Sequence, residues 1–151
     1  MIRSIRNATR ATFLAFTSLA AVLSPALGDT VSTNALLSSW YSAHGNAFER
    51  DAARSAVAAM LSEDAAIELR DLDLVQTRDE YLESFDGWRD AIEGGAVAFR
   101  IDSIDGDTST VTVCYRFASQ PILNAETITL DSDGTIAAIV AEQTADTCDS
   151  F

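Results

Sequence analysis

The sequence predicts an α+β domain in which helices come first and pack on one face of a curved antiparallel sheet of about four to five strands. Three observations predict it. Apolar residues recur at three- and four-residue spacing up to Ile92, they alternate with a period of two from Val97 onward, and turn signals at Asp105-Gly106 and Asp131-Ser132-Asp133-Gly134 fold that second half into a meander.

In chain order, the first segment reads as a secretory leader. Arg3, Arg6 and Arg10 precede the apolar run Ala11 to Leu23, and Ser24-Pro25-Ala26-Leu27-Gly28 offers small residues for cleavage after Gly28. The run is shorter than the roughly 20 apolar residues of a membrane span. The expectation is an exported protein, periplasmic or secreted, with a leader at 1–28, a folded domain at 29–144 and a tail at 145–151.

Within that domain, Leu36, Leu37, Trp40, Tyr41, His44 and Phe48 mark a helix with one buried face, loosened near Gly45-Asn46. Asp51 can cap a second helix, whose inward stripe is Ala53, Val57, Met60 and Leu61 and which Ser62-Glu63-Asp64 stops. Ala65 to Leu69 reads as a short edge strand, followed by a polar connection with Asp71 and Asp73. Thr77 and Glu80 form a capping box before a third helix carrying Tyr81, Phe85, Trp88 and Ile92, which Gly94-Gly95 ends. Val97, Phe99 and Ile101 then alternate with polar neighbours, and Val111, Val113, Tyr115 and Phe117 return after the Asp105-Gly106 turn as a hairpin. Pro121 opens a third meander strand that runs through Leu130, and Ile136 to Ala141 is the fourth.

Charge narrows the partners. All ten basic residues are arginine, so removing the three in the leader leaves seven against 23 acids, a net charge near -16. Such a surface repels phosphate backbones and anionic lipid, so neither nucleic acid nor a membrane is an expected partner. Cys114 and Cys148 fit an oxidising compartment and can be bridged; the other reading is a buried Cys114 and an unpaired Cys148 in the tail. His44 is the single histidine, so any site with two imidazoles is impossible, and Asp131 to Gly134 lacks the calcium-loop spacing and reads as a turn. No metal site is expected. Gly-x-Gly-x-x-Gly and Gly-x-Ser-x-Gly motifs are missing and the chain has no Lys for a P-loop, so no cofactor is expected either.

The element order, the run Met60-Leu61-Ser62-Glu63-Asp64-Ala65-Ala66-Ile67 and the Asp-x-Asp-Gly-x-Ile turn at Asp131 to Ile136 resemble the SnoaL-like branch of the NTF2-like superfamily over roughly Leu36 to Gln143. The chain departs from that pattern where Thr77-Arg78-Asp79-Glu80 replaces a glycine that many relatives carry. The resemblance implies a cone whose sheet and helices enclose an apolar pocket, and a homodimer through the outer sheet face. Steroid isomerase-like members use a Tyr on the first helix as oxyanion donor and an Asp on the short strand as base. Tyr41 matches the donor, but Leu69 falls at the base position and Glu68 points to the opposite face.

The expected ligand-lining set is Trp40, Tyr41, His44, Phe48, Trp88, Tyr115 and Phe117, residues that equally suit a packed core. Tyr41 and His44 are the candidate catalytic pair, although a lone His on an apolar helix face is ordinarily a packed one. Arg100, Arg116 and Glu126 read as a charge ladder on the outer surface, with a cavity-facing arginine as the other reading. Three functions fit: binding of a small apolar or amphipathic molecule, a lyase or isomerase using Tyr41 and His44, and a non-catalytic dimerisation or interaction module with a filled cone.

Overall fold

The computed structural model describes residues 26–47, 51–92, 95–117, 119–149 and 151. Residues 1–25 of the expected leader, and Phe48, lie outside the described residues, while Ala26 to Gly28 belong to the first helix.

Three helices precede most of the sheet: α1 (Ala26–Ala47), α2 (Asp51–Met60) and α3 (Arg78–Ile92). The strands are β1 (Leu61–Leu69), β2 (Leu74–Thr77), β3 (Ala96–Asp105), β4 (Thr108–Arg116), β5 (Pro121–Leu130) and β6 (Ile136–Ala145), in the spatial order β2-β1-β6-β5-β4-β3. The sheet is curved and unclosed. Helix α1 starts about ten residues before Leu36, because Thr33 is buried one turn ahead of Leu37 and extends the docked stripe.

The meander from β3 to β6 is antiparallel throughout, and Gly106 and Gly134 take the positive φ angles, 62° and 84°, that its turns require. The first half corrects the sequence in two places. Strand β1 begins at Leu61 and is interior, paired in parallel with β6 and antiparallel with β2, so Ala65 to Leu69 is no edge strand. Ser62 to Asp64 do end α2, yet they run on as strand, with a bulge between Leu61 and Ala66 absorbing their polar side chains. The supposed polar connection holds a one-turn 3-10 helix, Arg70–Leu72, and β2, which pairs Leu74 to Thr77 against Leu69 to Ala66 and brings the sheet to six strands. Four residues are too few for a period of two to show.

Helix α1 lies against β3 and α3 against β1, enclosing a core of Leu37, Trp40, Tyr41, Val57, Ile67, Phe85, Val111, Val113, Ile128 and Ile136. Gly45 permits the close approach of α1, since a Cβ there would stand 3.3 Å from the Val97 side chain. The capping box forms: Thr77 donates its backbone N–H and its hydroxyl to the Glu80 carboxylate, and Glu80 N–H returns a bond to Thr77 Oγ1. Arg78 donates two bonds to the Ala58 carbonyl in the last turn of α2, joining the two short helices.

Cys114 and Cys148 are bridged. Cys114 points away from the cavity between the inward Val113 and Tyr115, so the bridge holds the tail against the outer face of β4. There Arg100 lies over the Phe151 ring at 5.7 Å.

Candidate functional site

An open cavity of about 180 Å³ lies between the helices and the sheet. Helical spacing places Trp40 and His44 of α1 on its wall, with Tyr81, Ser84 and Phe85 of α3 beside them. Alternation on the strands supplies the remainder: Ile67 and Leu69 from β1, Tyr115 from β4 with Phe117 just past its end, Ile122, Asn124 and Glu126 from β5, and Ile139, Ala141 and Gln143 from β6. Asp71, Leu72 and Gln76 rim the mouth.

Glu126 is the chemical centre of this cavity. The residue is 4% exposed, and its carboxyl group accepts from Tyr41 Oη at 2.8 Å on Oε2 and from Tyr115 Oη at 2.7 Å on Oε1. The Asn124 side chain donates a further hydrogen bond. Burial pushes the Glu126 carboxyl above the usual carboxylate range, opposed by the bonds from Tyr115, Tyr41 and Asn124. The same burial raises Tyr41 and Tyr115, and the neighbouring carboxylate raises them further.

His44 is buried in an aromatic nest: Trp40 at 5.3 Å, Phe85 edge-on at 5.4 Å and Tyr115 at 5.9 Å between ring centroids. Tyr81 Oη stands 3.1 Å from Nδ1 and 3.3 Å from Nε2. Desolvation lowers its pKa to about 4, so the imidazole is neutral near pH 7.

The structure thus brings together Trp40, His44, Tyr115 and Phe117 on the cavity wall. Tyr41 stands behind them, stacked on Phe99 at 4.7 Å with its hydroxyl on Glu126. Trp88 lies within α3. Leu69 lines the cavity as expected, and Glu68 turns outward to an ion pair with Arg70.

The expected outer ladder is corrected. Arg100 and Arg116 are exposed, with Arg100 paired to Asp102, whereas Glu126 faces inward opposite the buried Val111 and Ala141. Ile122, Asn124, Glu126 and Ile128 share one face of β5, so the period running through its two inward isoleucines carried the signal. Tyr81 and Asn124 were likewise missing from the expected set.

No protein-family model and no curated protein matches this chain. Solved structures do. A candidate ketosteroid isomerase from Kribbella flavida DSM 17836 superposes with a TM-score of 0.61 at 20% identity, over 80% of this chain and 83% of that one. An NTF2-like protein of unknown function from Burkholderia xenovorans LB400 gives 0.63 at 13% identity, over 80% and 88%. A candidate isomerase of the SnoaL-like family from Agrobacterium tumefaciens C58 gives 0.59 at 9% identity, over 76% and 99%.

Proposed function

We propose that this protein, which has the cone fold of NTF2-like and SnoaL-like proteins, binds a small, largely apolar molecule whose single polar end meets Glu126. The observation that carries this reading is a buried carboxyl group on the wall of an otherwise aromatic and aliphatic cavity. Cavities of roughly 150 Å³ accept one benzene ring, so about 180 Å³ sets the enclosed part of the ligand at about one ring. Export is part of the proposal, supported by the leader pattern and by the Cys114–Cys148 bridge.

Thermal-shift titration with steroids, polyketide-like lactones, fatty acids and single-ring alcohols tests it. A ligand should raise the melting midpoint with concentration, and Ala141→Phe, which fills the cavity, should abolish the rise. A flat response across the panel, or one unchanged in A141F, removes the pocket reading. N-terminal sequencing of protein from the envelope or medium tests export, since intact Met1 on folded cytosolic protein would contradict it.

A second reading, a lyase or isomerase, draws support from the isomerase names of structural neighbours and from Glu126 itself, a carboxyl group held above its ordinary range beside a cavity. In that reading Glu126 moves the proton. Tyr41 positions it, because the Tyr41 hydroxyl is already given to Glu126, and His44 stays neutral with Tyr81. Deuterium exchange into an enolisable ketone, lost in Glu126→Gln, is its test.

The interaction-module reading needs a filled cone and gains nothing from the open cavity. A homodimer would use the outer sheet face around the bridge, and sedimentation velocity checks it.

A further inference from the structure

We propose that the polar end of the ligand is a protonated amine: the cavity binds a small aryl-alkyl ammonium ion, its nitrogen on Glu126 and Asn124 and its apolar body among the aromatic rings. This rests on the pocket reading above and narrows it.

The argument starts from hydrogen-bond supply. Tyr41 and Tyr115 each give their hydroxyl proton to one oxygen of Glu126, and Asn124 gives its amide. Burial holds this carboxyl group above the usual range while the three converging donors favour its acceptor form, so a cation placed on it would tip the balance to the carboxylate. Once those bonds are made, what remains on Glu126 itself is acceptor capacity. The second lone pairs of the Glu126 oxygens are there, and Asn124 Oδ1 is buried with no hydrogen-bond partner. A ligand carbonyl, ether or carboxylate brings only acceptors and would leave the Glu126 lone pairs and Asn124 Oδ1 unfilled. An ammonium group brings three donors.

Charge points the same way. A buried carboxylate ordinarily has a cationic partner. None lines this cavity among the described residues: no arginine is on its wall, the chain has no Lys, and His44 is neutral. Arg70, just outside, is held by Glu68 and Glu142. Asp71 at the mouth adds a negative group on the route in, and the whole chain carries -13, so the field draws cations and repels anions. Trp40, Tyr81 and Tyr115 line the wall, and aromatic rings attract a desolvated cation.

The test compares three probes of one shape on the oxidised full chain at pH 7.5 by titration calorimetry: 2-phenylethylamine, 2-phenylethanol and phenylacetate. The amine should bind at least tenfold more tightly than the alcohol, and phenylacetate should not bind. Glu126→Gln, close in size, should weaken the amine at least tenfold while leaving the alcohol within about threefold. An alcohol that binds as tightly as the amine, or an amine whose affinity ignores E126Q, overturns the ammonium assignment and leaves the pocket reading standing. Should E126Q fail to fold, the wild-type ranking of the three probes still decides. If none of the three binds and the wider panel is flat, the pocket reading itself falls and this one with it.

Discussion

Tyr41 on α1 donates a 2.8 Å hydrogen bond to Glu126 on β5, 85 residues away in the chain, and this single contact ties the helical layer to the floor of the sheet. Both partners are buried, Tyr41 behind the cavity wall and Glu126 on it, so removing the hydroxyl takes a donor from a largely desolvated carboxyl group. Tyr41→Phe should therefore destabilise by about 1.5–3 kcal/mol, the range for a hydrogen bond to a charged group. Urea denaturation measures it, and a loss below about 0.5 kcal/mol would show that Tyr115 and Asn124 satisfy Glu126 unaided.

His44 makes stability depend on acid. Its folded pKa of about 4 lies below the unfolded value near 6.5, so the unfolded chain takes up the proton first. Stability from this group is intact above pH 6.5 and falls by up to about 3 kcal/mol as the pH drops toward 4. Glu126 works in the opposite direction, because a raised carboxyl pKa favours folding below its unfolded value and loses that advantage as the pH rises. Melting curves of wild type and His44→Phe between pH 7.5 and 4.5 should diverge most at the acid end; parallel curves would refute the buried neutral imidazole.

Arg78 holds the end of α2. Its guanidinium reaches the Ala58 carbonyl at 2.9 and 3.2 Å, satisfying an acceptor that the helix leaves open in its last turn. Arg78→Met keeps most of the apolar stem and should cost about 1–2 kcal/mol. The ion pair with the exposed Asp79 is not the source, so Asp79→Asn should leave the denaturation midpoint nearly unchanged.

The bridge encloses a separation of 34 residues, for which loop-closure entropy gives about 3–4 kcal/mol. Cys148→Ser leaves the buried Cys114 in place and should lower stability by that amount, as should reductant on the wild type. If reductant changes nothing while Cys148→Ser destabilises, the serine and not the lost staple is responsible.

What the sequence made legible was governed by period. The capped α3 and the strands β3 to β6 are long enough for three or more repeats, and alternation through Val111, Val113 and Tyr115 located the inner face of β4. The four residues of β2 offered no such repeat, and the interior position of β1 depends on a parallel partner about 70 residues later that no local pattern encodes. Among site residues, Trp40, His44, Tyr115 and Phe117 followed from aromatic side chains on inward faces. Glu126 did not, because a carboxylate on a strand ordinarily belongs to the solvent side. Its burial is intelligible only with Tyr41 and Tyr115 beside it, a three-way meeting set by tertiary structure.

The parallel pairing of β1 with β6 has a consequence for the order of assembly. Strand β6 is the keystone: on one side it carries β1 and β2, on the other β5, β4 and β3. A nascent polypeptide halted before Ile136 would therefore hold two ribbons with no seam between them, and Ile67 and Leu69 would lack their strand neighbours Ile139 and Ala141. Completion of the hollow waits on the synthesis of Ile136 to Ala145, however early the helices form.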